Sequence, residues 1–353
     1  PRPRRLPPRH RPSTSARRRI YRKMKALIYT GPEKVIYTDA SDPEPRPEEA
    51  LVRVDSVGIC GSDMHAFLGH DERRPAPLIL GHEAAGVVVQ GPMEGKRVTF
   101  NPLATCGKCK ACLRGQDNIC PSRQIISMQP RQGAFAELVT IPEVNLVEVP
   151  DQIDLDQAAL TEPIACGLHA AKLSQRSISI DLVSANALVI GGGAIGVSSA
   201  LSLKALGIPD VVVCEPNEIR RNYLTEKCGL QMVHSDELDA KTYFDVVIDG
   251  AGFESSRELA SAKVQPGGAI VHIGLGSAKG GLDIRRITLQ EITFIGSYTY
   301  THQDFREAAQ AMFDGRLGSL NWAIQRPLWE GQQAFEEIRS GSIAAPKTIL
   351  KPN

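Results

Sequence analysis

The stretch ALVIGGGAIGV, residues 187–197, decides the fold. An apolar run leads into Gly191, Gly193 and Gly196, spaced G-x-G-x-x-G, and these open a helix-like segment, GAIGVSSALSLKALG. Glycines let the backbone turn tightly and approach a pyrophosphate, whose charge then rests on a helix N-terminus. The motif alone is weak, because glycine-rich turns are common. Its surroundings strengthen it. The next apolar run, PDVVVCE, ends in Glu215, 22 residues after Gly193, where a carboxylate can bind ribose hydroxyls. The stretch therefore predicts a dinucleotide site.

Downstream the alternation continues through NEIRRNYLTEKCG, FDVVIDGAG, ESSRELASAKV, GAIVHIG and EITFIGSY. Strand and helix in turn, from 187 onward, predict a parallel sheet covered by helices. Upstream the texture differs. ALVRVDSVG (50–58), AAGVVV, KRVTF, FAELVTI and NLVEVP are short strand-like runs separated by Gly and Pro, as in a β-rich barrel. DLDQAALTEPIACGLHAAKL reads as helix broken around Pro163. From about 298 come two helical stretches and a last strand, KTILKP.

The 353 residues suffice for two domains, and 42% hydrophobic with 23% charged residues is ordinary for a soluble protein. The longest apolar runs are too short to span a bilayer, and no signal-peptide core is present. A soluble, cytoplasmic protein without membrane partners is expected. The net charge of +1 misleads, because residues 1–23 hold nine Arg, one Lys and no acid. The remainder has 31 basic and 40 acidic side chains, which argues against a nucleic-acid partner. The leader 1–23 is expected to be disordered, an upstream extension, with an organelle transit peptide as the minority reading.

Four of the eight cysteines, Cys106, Cys109, Cys112 and Cys120, fall within TCGKCKACLRGQDNIC. Such a cluster in a cytosolic chain favours a metal over disulfides, and four thiolates match a closed tetrahedral structural zinc. An iron–sulfur cluster is the rival, since Cys120-Pro121 matches a ferredoxin ending but the seven-residue spacer does not. GICGSDMHAF and LGHEAAG offer Cys60, His82 and Glu83, and TEPIACGLHA adds Glu162 and Cys166. Cys, His and carboxylate suit a second zinc, although each residue taken singly is weak. GHDERRP carries Arg73 and Arg74, which read as solvated surface, with an anionic substrate as the alternative.

GICGSD, GHEAAG, the four-cysteine loop, EPIACGLHA and GGGAIG occur in one order over residues 24–353. In this the chain resembles the zinc-dependent medium-chain alcohol and polyol dehydrogenases, the sorbitol, galactitol-phosphate and threonine dehydrogenase branch. The resemblance implies a GroES-like barrel catalytic domain (24–172 and 298–353) with an inserted Rossmann domain (173–297). It implies two zinc ions per chain, NAD, and a homodimer or homotetramer. The reaction implied is oxidation of a secondary alcohol, such as a polyol or sugar-alcohol phosphate, with threonine or simple alcohols as alternative substrates.

By the same resemblance Cys60 and His82 are catalytic zinc ligands, with Glu83 or Glu162 as the third. Ser62 touches the substrate oxygen and His65 relays its proton. Gly191, Gly193, Ile195 and Gly196 contact the cofactor. Glu215 and Arg220 face the adenosine. Backbone at Ile273, Gly274, Leu275, Ser297 and Tyr298 forms the nicotinamide wall. Thr299 stands where sorbitol dehydrogenases carry Arg, which puts sorbitol itself in doubt. A cofactor-binding module without catalysis is the other class, disfavoured because Cys60, Ser62, His65, His82 and Glu162 are all present.

Overall fold

A computed structural model describes residues 23–352. The leader expected over 1–23 lies outside the described residues, except for Lys23, which begins the strand Lys23–Gly31.

Six parallel strands form one sheet in the order Gln231–Val233, Asp210–Cys214, Asn186–Ile190, Phe244–Asp249, Val264–His272, Thr293–Gly296. The chain starts in the middle and reverses direction of travel across Asn186–Ile190, so a crevice opens at the carboxyl ends there. The quoted stretch supplies that strand and the helix Ala194–Ala205. Gly191 has φ near +102°, which favours glycine, and a Cβ on Gly196 would run into the Gly191 carbonyl.

The remaining strands build the barrel. Glu49–Gly58 pairs antiparallel with Glu83–Gln90 and with Leu138–Pro142. The last strand, Lys347–Lys351, returns to pair antiparallel with Glu49–Gly58, and Ala323–Pro327 runs parallel to it. The helix Thr161–Gln175 packs on Ala194–Ala205 and on His302–Phe313. The break expected at Pro163 falls earlier, after the short helix Leu155–Ala158. Pro163 lies in the first turn of the next helix, where its missing N–H leaves no bond unmade. Among the described residues no helix is long and apolar enough to cross a membrane.

One buried polar knot ties two of these helices together. Asp304 lies 2.7 Å from both His169 Nδ1 and Lys172 Nζ, and it accepts from Thr301. Burial opposes its ionisation, yet His169, Lys172 and Thr301 hold the carboxyl below its ordinary range. A depressed carboxylate stabilises the fold above its unfolded pKa, and that stabilisation fades as pH falls toward the folded value. Asp304→Asn is therefore expected to cost about 2 kcal/mol near neutrality. In urea melts the gap from wild type should narrow below about pH 4. A gap that stays constant in acid would mean the charge contributes nothing.

Candidate metal and cofactor sites

The four-cysteine loop brings its sulfurs together. Cys109 and Cys112 lie 3.5 Å apart, Cys106 and Cys120 3.5 Å, Cys106 and Cys112 4.0 Å. All four fall within 4.8 Å of one another, and none is in a disulfide. Sulfurs about 2.3 Å from a tetrahedral zinc stand roughly 3.8 Å apart, so the set fits that ion. A cluster with inorganic sulfide inside its ligand shell needs them more widely spaced. Backbone N–H groups of Lys108 and Cys109 pull the Cys106 thiol down to about 6, while burial and its sulfur neighbours push Cys112 up to about 12. As thiolates, four sulfurs this close could hold a dication between them.

This lobe braces the interior of the protein. Asn118 donates to the Tyr298 carbonyl at 2.8 Å, and the Arg123 guanidinium lies 4.8 Å from the Tyr298 ring centre. Asp117 accepts from the His302 backbone N–H. Tyr298 thus faces the cysteine lobe with both ring and carbonyl. Two residues on, buried Tyr300 donates its hydroxyl to Glu162 Oε1 at 2.8 Å.

Cys60 caps the short helix Gly61–Phe67, and His82 and Glu83 stand at the start of Glu83–Gln90. Their donor atoms fall within 4.8 Å of one another. Buried Asp63 ties the two loops, accepting from the N–H groups of Cys60 (3.0 Å) and Gly81 (3.2 Å). His82 Nδ1 faces Ser127 Oγ at 3.2 Å and Asp63 Oδ1 at 3.5 Å, which leaves Nε2 for the site. Burial disfavours a charged His82, but Asp63 and Cys60 outweigh it and raise its pKa well above the ordinary value. Both Glu83 oxygens lie within 2.7 Å of Lys347 Nζ, which also donates to the Ile59 carbonyl. Glu162 stands apart from this trio. Burial, aided by the Glu83 charge and opposed by His82, raises its carboxyl to about 7. A soft thiolate, an imidazole and a carboxylate in one buried corner fit zinc.

Ser62 Oγ lies 3.4 Å from His82 Nε2, while His65 is on the exposed side of the same helix. Arg73 is exposed as expected. Arg74 is not: it is buried, bonded to Asp71 Oδ2 at 2.6 Å and to the Ser127 carbonyl at 3.1 Å. Those partners replace the water that a surface arginine would have kept.

Gly191, Gly193, Glu215 and Arg220 line a cavity of about 760 Å³ at the crevice of the parallel sheet. Glu215 accepts from the N–H groups of Gly192 (2.7 Å) and Asn217 (2.9 Å), holding its carboxylate against the glycine turn. Arg221 is committed to the Glu215 and Pro216 carbonyls, and Arg220 reaches the carbonyls of Ile343 and Ala344. Ile195 is half-buried in the core and does not line the cavity. Ile273 and Gly274 follow the strand Val264–His272, their N–H groups bonded to the Asp249 carbonyl, and Leu275 is exposed. Ser297 donates its N–H to His272, while its buried Oγ has no partner among the described residues.

The model of the alcohol dehydrogenase GroES-like domain matches residues 46–151, and that of the zinc-binding dehydrogenase domain matches 194–314. The chain is 31% identical to the probable diacetyl reductase 2, (R)-acetoin forming, of Saccharomyces cerevisiae, over 94% of this chain and 90% of that protein. It is 29% identical to the L-galactonate-5-dehydrogenase of Escherichia coli, over 83% and 88%. A zinc-binding dehydrogenase candidate of Sinorhizobium meliloti 1021, solved with NADP, superposes with a TM-score of 0.84 at 27% identity, covering 94% of this chain and all of that one. The chain therefore belongs to the zinc-dependent medium-chain alcohol dehydrogenase family. It is an enzyme of that class, with a GroES-like domain and a Rossmann-type domain.

Proposed function

We propose that the protein oxidises a secondary alcohol, a polyol or a related sugar derivative, to the ketone, with NAD as hydride acceptor and two zinc ions per chain. The observation that carries this is the convergence of Cys60, His82 and Glu83 beside Ser62. A zinc there supplies a Lewis acid that makes the alcohol hydroxyl acidic at neutral pH. Cys60, His82 and a carboxylate hold the ion. Lys347 restrains Glu83 and Tyr300 restrains Glu162, so the two carboxylates have different tethers, and it is a Glu83 oxygen that lies within 4.8 Å of the Cys60 and His82 donors. Ser62 receives the hydroxyl proton and His65, one turn along the helix, passes it to solvent. Cys106, Cys109, Cys112 and Cys120 hold the structural ion. A homodimer or homotetramer in the cytoplasm completes the reading.

NAD rather than NADP is expected because Glu215 lines the cavity and puts a carboxylate where a ribose would bind. A 2′-phosphate about 4 Å away meets repulsion on the order of 4 kcal/mol per unit charge before screening. Arg221, engaged by backbone carbonyls, offers little relief. Steady-state kinetics should show kcat/KM for NAD exceeding that for NADP by at least about tenfold, and Glu215→Ser should narrow the ratio. Equal efficiencies in the wild type, or a ratio untouched by the substitution, would refute the role of Glu215.

A further inference from the structure

We propose that Arg74 binds an anionic group of the substrate, a carboxylate or phosphate close to the carbinol that reacts. The proposal rests on the alcohol-oxidising reading above and narrows its substrate class.

Arg74 is 3% exposed. A buried guanidinium needs partners for five N–H donors. Nε and one N–H of Nη1 have partners at ordinary hydrogen-bond length. Nε donates to the Ser127 carbonyl at 3.1 Å, and Nη1 donates to Asp71 Oδ2 at 2.6 Å and reaches the Ser62 carbonyl at 3.4 Å. The Nη2 end does not. Among the described residues its two N–H groups have one contact, Ser62 Oγ at 3.4 Å, longer than a good hydrogen bond. The under-satisfied end of the cation therefore faces the serine that stands 3.4 Å from His82 Nε2.

The charges around it point the same way. Asp71 serves both Arg73, at 2.8 Å, and Arg74, one carboxylate for two guanidinium groups. Asp63, the other acid nearby, is engaged by His82 and by the N–H groups of Cys60 and Gly81. An oxyanion on the substrate would give Nη2 short, charge-assisted bonds in place of one long contact. A neutral polyol would offer that end only uncharged hydroxyl acceptors, which bond a buried cation more weakly. The loop that carries Arg74 is also clamped from beneath by Ser127, so the guanidinium is held before substrate arrives.

The test measures kcat/KM on matched pairs, a polyol against its aldonate and a polyol against its monophosphate, for wild type, Arg74→Lys and Arg74→Met. Wild type should favour one anionic member by about tenfold or more, as a charge-assisted bond outweighs a neutral one. Whether the aldonate or the phosphate arm shows it identifies the anion. Arg74→Met should bring the ratio close to one, mainly through KM for the anion. Arg74→Lys should keep part of it, since a point charge lacks the planar fork. Equal wild-type efficiencies within both pairs would overturn the proposal while leaving alcohol oxidation intact. Equal losses on both members in Arg74→Met would also overturn it and make Arg74 a loop latch. No oxidation of any member would sink both readings together. Should Arg74→Met fail to fold, the wild-type ratio and Arg74→Lys still decide.

Discussion

Cys60→Ser is expected to lose turnover by about a thousandfold while melting close to wild type. A Lewis acid contributes several kcal/mol to the reaction barrier, and about 1.4 kcal/mol is tenfold in rate. Serine at position 60 still caps the helix Gly61–Phe67, so the local fold has no reason to change. Zinc content should fall by one ion per chain, and binding of the dinucleotide, proposed for the separate cavity around Gly191 and Glu215, should persist. A variant that keeps most of its kcat would remove Cys60 from the site. A variant that unfolds would mean Cys60 is there for packing.

Cys106→Ser should do the reverse. Structural zinc contributes folding free energy directly, because the metal binds the folded loop and not the open chain. Within Thr105–Cys120 only Asn118 and Cys120 are buried, so the loop has little core of its own. Its helix Lys110–Leu113 buries no side chain, and Leu113 is exposed. A loss of several kcal/mol corresponds to a fall in Tm of about 5–10 °C in a chain of this size. Some activity should go as well, since Asp117 and Asn118 brace the segment that carries Tyr300 and hence Glu162. A variant that melts like wild type and keeps both zinc ions would show that the cysteines are not a structural site.

The two predictions reach residues of very different legibility. The glycine turn, Glu215 and the cysteine loop are local patterns, each within a few tens of residues, and the parallel sheet follows the alternation that announces it. Cys60, His82 and Glu83 are 23 residues apart at most and lie next to glycines, so they too are readable. What orients them is not. Lys347 meets Glu83 across 264 residues and Tyr300 meets Glu162 across 138, because the chain returns to the barrel only at its end. A lysine in a closing strand or a tyrosine in SYTY carries no mark of such a partner. Arg74 departs from its expected place for a related reason: arginine is exposed by default, and its burial depends on Asp71, Ser127 and Ser62 converging in space. The strand Ala323–Pro327 and the helix Ile284–Leu289 escaped as well, both too short to show a period.

The most direct test of the whole account is NADH formation from a panel of polyols, polyol phosphates, threonine and simple alcohols. It is run on the protein as purified, after chelation, and after zinc is returned. Turnover of at least one secondary alcohol, lost on chelation and restored by zinc, is the predicted result. Turnover that survives full removal of zinc, or none on any alcohol with zinc present, would contradict it.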